Sequence, residues 1–93
     1  MRGAMSKLIG GSAYGMVQQV ADGYVLVTER TFKGLAPQDL QQILFEVEKH
    51  LRTLRGDQPA AEDVQAVQAR HRKIQRLTSC RTLIQNYRKR FRR

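Results

Sequence analysis

An apolar stripe between Pro37 and Gly56 constrains this chain more than any other feature. Leu40, Ile43, Leu44, Val47, Leu51 and Leu54 recur at the three- and four-residue spacing that lines one face of an α-helix. Leu35-Ala36-Pro37-Gln38-Asp39 marks the start, with Pro at the first helical position and an acid where the helix dipole is positive. Arg52 and Arg55 sit near the other end, and Gly56 is placed to supply a left-handed cap. The spacing predicts a helix over 37–55. A stripe this continuous has to be covered by something.

Gln58-Pro59 opens a second helix, predicted over 59–92, with Glu62 and Asp63 in its first turn. The Gly56-Asp57-Gln58 link is so short that the two helices form an antiparallel hairpin. At 1.5 Å per residue the first helix is about 28 Å long and the second about 50 Å. Tight pairing sets Pro37 beside Thr78, so the chain beyond Thr78 outruns its partner. The apolar positions shift at the same place. Val64, Val67 and Ile74 share one side, whereas Leu77, Cys80, Ile84, Tyr87 and Phe91 lie about half a turn away. Either the helix breaks at Thr78-Ser79, or it stays straight and meets a second surface. Thr and Ser seldom break a helix alone, which favours the straight one.

Upstream the composition turns β-like. Met16, Val17 and Val20 precede Ala21-Asp22-Gly23, and Tyr24-Val25-Leu26-Val27-Thr28 follows. Asp-Gly tolerates the positive φ of a tight turn, so a β-hairpin is predicted over 14–31. A lone hairpin is marginal in water and must lie on the helices. Residues 1–13, rich in Gly and Ser, read as a flexible leader. Residues 1–4 read equally as native sequence or as a remnant ahead of Met5. The fold class expected is therefore α+β: one small domain over 14–93, with an N-terminal β-hairpin and an antiparallel helical hairpin ending in a long basic helix. Its core draws on Val17, Val25, Val27, Phe32, the stripe of the first helix, Val67, Ile74, Leu77 and Ile84.

Charge is the second informative feature. Seventeen Lys and Arg against eight Asp and Glu give a formal +9. After Val64 there are ten basic residues and no acid, eight of the ten being Arg. A segment of one sign repels itself, and an anionic partner is the usual compensation. Arg70, Arg72, Lys73 and Arg76 are spaced so that two or three share a side of the helix. Arg81 follows, then Arg88-Lys89-Arg90-Phe91-Arg92-Arg93. Arginine forks suit phosphates, and Tyr87 and Phe91, one turn apart, suit stacking on unpaired bases. These twelve residues form the candidate nucleic-acid surface. RNA is expected over DNA, because an Arg-rich helix reads phosphate geometry and no major-groove recognition pattern stands out. The plain alternative is a solvated helix face with Tyr87 and Phe91 serving the core.

A protein-interaction module is the alternative function. Leu77, Ile84, Tyr87 and Phe91 on the overhang would then carry a homodimer, or the basic face would take an acidic protein. A membrane-surface role suits the sequence less, since the apolar face is thin and there is no Trp.

Catalysis finds little support. His50 and His71 are offset along the expected hairpin, which argues against a shared metal. Cys80, the single cysteine, has no histidine within a helical turn and excludes an internal disulfide. Gly10 and Gly15 have the spacing of a phosphate loop, but Met16 and Val17 stand where Lys and Ser or Thr are needed. A non-enzyme without cofactor or metal is expected. One cysteine, no apolar run long enough for a membrane span and no signal-peptide pattern suit a reducing, cytoplasmic setting.

Overall fold

A computed structural model of the chain describes residues 11–91. The chain forms four helices in sequence: α1 (Ala13–Ala21), α2 (Glu29–Phe32), α3 (Pro37–Gly56) and α4 (Val64–Phe91). No strand occurs among the described residues. The fold is all-α, and the expected β-hairpin over 14–31 is replaced by α1, an unpaired linker and the one-turn α2.

Two local effects overturn the hairpin. Ala13, Met16, Val17, Val20 and Ala21 are all buried, and their spacing is that of a helix face, not of alternation. Ser12 caps this helix, its Oγ accepting the Gly15 N–H at 3.0 Å. At the far end Asp22-Gly23 terminates the helix instead of reversing a strand. Gly23 adopts φ +83°, its N–H reaching Val20 O at 3.1 Å and the Tyr24 N–H reaching Gln19 O at 2.9 Å. That pair of bonds is the Schellman arrangement, in which a left-handed residue satisfies the last carbonyls.

The first turn of α3 is built as its sequence implies. Pro37 occupies the opening position, and the Ala36 N–H donates to Asp39 Oδ2 at 3.1 Å. Its end differs from the expected left-handed glycine. Gly56 remains helical, and the Leu54 carbonyl is capped by the Asp57 N–H at 3.3 Å and by Arg70 Nε at 2.7 Å. The second long helix begins at Val64 and not at Pro59. The Asp63 carboxylate accepts the Ala66 N–H at 3.1 Å, and a separate turn closes between Ala60 O and the Asp63 N–H. An N-cap of this kind outweighs the helix-start signal of Pro59.

The later start resets the hairpin register. Arg70 lies opposite Leu54, which brings Pro37 level with Tyr87 instead of Thr78. The overhang beyond α3 therefore shrinks to about one turn. α4 runs unbroken through Thr78-Ser79. Its buried face is Leu77, Cys80 and Ile84, while Val64 and Val67, half a turn round, are exposed.

α4 packs on α3, α1 and α2 in turn. The shared core is formed by Met16, Val17 and Val20 of α1, Phe32 of α2, Leu40, Ile43, Val47 and Leu51 of α3, and the α4 face. Leu77 and Ile84 are thus fully buried within this one chain. Met16, Val20 and Cys80 join the expected core, and Val67 leaves it.

Candidate nucleic-acid interface

The basic residues of α4 form two groups, with Arg72 and Arg81 outside them. Arg70, Lys73 and Arg76 turn toward the helices they pack on. Arg70 Nε donates to Leu54 O at 2.7 Å, at the end of α3. Arg76 Nη1 donates to Ala21 O at 2.8 Å, at the end of α1. Lys73 Nζ lies 3.5 Å from the carboxylate of Asp22, the α1 C-cap. The last carbonyls of a helix lack internal partners and carry its negative dipole end, so cations are stabilising there. These three side chains fasten α4 to the C-termini of α1 and α3. Of the expected patch only Arg72 is exposed.

The second group lies at the end of α4. Arg88 and Lys89 are exposed, and Arg90 pairs with Glu29 of α2. Tyr87 is half-buried with its ring on Phe32, centroids 5.5 Å apart at 58°. Its ring thus serves the core. Arg81 is half-buried in mid-helix, away from both groups along the chain. The Phe91 side chain, Arg92, Arg93 and residues 1–10 lie outside the described residues.

The fold adds two residues that the sequence did not single out. Arg30 and Lys33, within and just after α2, are exposed. The Phe32–Tyr87 contact and the Arg90–Glu29 pair hold this turn against the last turns of α4. Arg30, Lys33, Arg88 and Lys89 therefore share one end of the molecule. Asp39, at the start of α3, is occupied with the Ala36 N–H.

No protein family, curated protein or solved structure matches the chain. His50 ties α3 to α1: Nδ1 lies 2.8 Å from Glu46 O, Nε2 lies 3.1 Å from Gln18 Oε1, and Tyr14 packs on the ring at 5.3 Å. A cleft of about 380 Å³ adjoins it, lined by Tyr14, Gln18, Lys49, Thr53 and Lys73 among others. His71 is exposed on α4. Among the described residues no three His, Cys, Asp or Glu side chains gather to hold a metal ion. No helix there is long and apolar enough to cross a membrane.

Cys80 is buried on the inner face of α4, and burial pushes its thiol from 9.0 up to about 11. A neutral, covered thiol is a packing group and a poor nucleophile. One consequence is an alkaline loss of stability. The unfolded thiol ionises near its ordinary value, while the folded one holds its proton until about pH 11. Between those values the native state binds more protons, so stability falls as pH rises, by about 2–3 kcal/mol in total. Urea unfolding across this range should show the decline in the wild-type protein and a smaller one in Cys80→Ala. Equal slopes would remove Cys80 as its source.

Proposed function

We propose that the protein is a non-catalytic nucleic-acid-binding protein, preferring RNA to DNA, that holds the phosphate backbone with the cationic end built by α2 and the last turns of α4. The observation that carries this reading is the placement of Arg30 and Lys33 at the same end as Arg88 and Lys89, on two elements pinned together by Phe32 and Tyr87. Four exposed cations on a fixed support lose less freedom on binding than four on a loose tail. In sequence the end continues into Arg92-Arg93. The acid nearest in sequence to Arg30, Glu29, is paired with Arg90.

Each phosphate neutralised releases counterions, which gives both affinity and salt dependence. α4 reaches this end by its last turn and offers no long basic face. That suits backbone contacts with a flexible single strand better than docking in a major groove.

The test is fluorescence anisotropy of labelled single-stranded RNA and duplex DNA over a salt series. Four phosphate contacts to a single strand predict a slope of log K on log salt of about −3. Arg88→Glu with Lys89→Glu, and separately Arg30→Glu with Lys33→Glu, should each weaken RNA binding at least about tenfold. Arg72→Glu, exposed but in mid-helix, should change affinity far less. Binding that ignores salt, or survives both double reversals, would sink the reading.

A further inference from the structure

The linker from Tyr24 to Thr28 belongs to no helix, and its side chains alternate as in a strand. Val27 is buried and Val25 half-buried, while Tyr24 and Leu26 stand 82% and 87% exposed. Thr28 has extended backbone, φ −132° and ψ 175°. At its ends the linker is tied down, the Tyr24 N–H to Gln19 O and the Thr28 N–H to Thr31 Oγ1. Between them, among the described residues, the amides and carbonyls of Val25, Leu26 and Val27 have no hydrogen-bond partner. Strand-forming side chains with unspent backbone groups make an edge that lacks its neighbour. Beside it opens a groove of about 550 Å³, lined by Val20, Val25, Ile74 and Leu83 together with Arg76 and Thr78 among others.

We propose that this linker is where two copies of the chain associate, residues 24–28 of each pairing antiparallel about a two-fold axis at Leu26. In that register Val25 of one copy faces Val27 of the other, and the two exchange both N–H···O bonds. The axis repeats the exchange, so four backbone bonds form from groups that have none in the single chain. Leu26 faces its own copy across the axis and Tyr24 faces Thr28, which gives cross-strand partners to the two most exposed large hydrophobic side chains among the described residues.

Two observations select a second copy as the occupant. About a two-fold axis at Leu26 the central cross-strand pairs are Val25 with Val27 and Leu26 with Leu26, all apolar, so the segment offers its own copy a matched face. The chain carries +9, and copies approaching through most of its surface would repel, yet residues 23–28 bear no charge.

Sedimentation velocity of the full chain, free of nucleic acid, tests the pairing over a wide concentration range. A reversible monomer–dimer equilibrium is expected, weakened at least about tenfold by Leu26→Lys, an exposed substitution that should leave the circular dichroism of the fold unchanged. Only position 26 meets itself across the axis. Under mild oxidation Leu26→Cys should therefore cross-link into a dimer, while the wild-type protein, whose Cys80 is buried, should not. A monomer at every concentration would overturn the proposal. So would a dimer that Leu26→Lys leaves intact or that Leu26→Cys fails to cross-link. Recruitment of an extended peptide to a strictly monomeric chain would give the linker a different partner and overturn it too.

Discussion

Phe32→Ala should lower the unfolding free energy by about 3–5 kcal/mol, the range for emptying a buried aromatic site. Phe32 is fully buried, yet it sits on a helix of four residues. A helix so short has no stability of its own, because nucleation costs more than one turn of hydrogen bonds returns. The Thr28 N–H bond to Thr31 Oγ1 and the left-handed Gly34 shape this turn but do not attach it. Attachment comes from the Phe32 ring against Tyr87 and the core, helped by the half-exposed Arg90–Glu29 pair. Exposed ion pairs contribute about 0–1 kcal/mol, so the ring dominates. A domain of this length holds only about 5–14 kcal/mol in all, and the loss is a large part of it. Urea unfolding measures it directly. Phe32→Leu, which keeps most of the volume, should lose much less. If Phe32→Ala costs under about 1 kcal/mol, α2 is held by something else. RNA affinity measured where the variant is still folded should fall as well, because Arg30 and Lys33 lose their support.

The contrast between α3 and the N-terminal third explains what the sequence could disclose. α3 buries one face along its whole length, so Leu40, Ile43, Val47 and Leu51 print a helical period into the sequence. The N-terminal third prints mixed signals. The stripe of α1 becomes unambiguous only when the small residues Ala13 and Ala21 are counted with Met16, Val17 and Val20. Asp22-Gly23 satisfies a helix cap as readily as a hairpin turn, since both need the same positive φ. Tyr24–Thr28 shows the alternating burial of a strand, but among the described residues it meets no strand. α2 is too short for any period.

The basic surface shows the same division. Spacing alone shows that Arg70, Lys73 and Arg76 can share a side of α4. It does not show that the side faces the carbonyl ends of α1 and α3, because the carbonyl of Ala21 is brought there by tertiary packing. Nor does it place Arg30 and Lys33 beside the C-terminal cations. Density of charge was legible, and which charges are already used was not.

Gly23→Val should destabilise the protein by about 3 kcal/mol through two separable effects. The first is backbone strain. Gly23 holds φ +83°, and a β-branched residue there costs on the order of 1–2 kcal/mol. The second is crowding, since a Cβ at this position would stand 2.9 Å from Arg76 Cζ and 3.1 Å from Nη2. The guanidinium must then shift, although it is held by the 2.8 Å bond to Ala21 O, and losing a charged hydrogen bond costs about 1.5–3 kcal/mol. A double-mutant cycle with Arg76→Ala separates the two. In the Arg76→Ala background only the strain remains, so Gly23→Val should cost measurably less there. An unchanged cost would mean that the guanidinium moves aside freely and does not hold the end of α1. The cycle also bears on function, because Arg76 then counts among the residues that build the fold. Its neutralisation should lower stability while leaving the salt slope of RNA binding where it was, whereas neutralising Arg88 and Lys89 should flatten the slope at constant stability. Among the described cations of the C-terminal segment, Arg70, Lys73 and Arg76 thus close helix ends, whereas Arg72, Arg88 and Lys89 stand exposed.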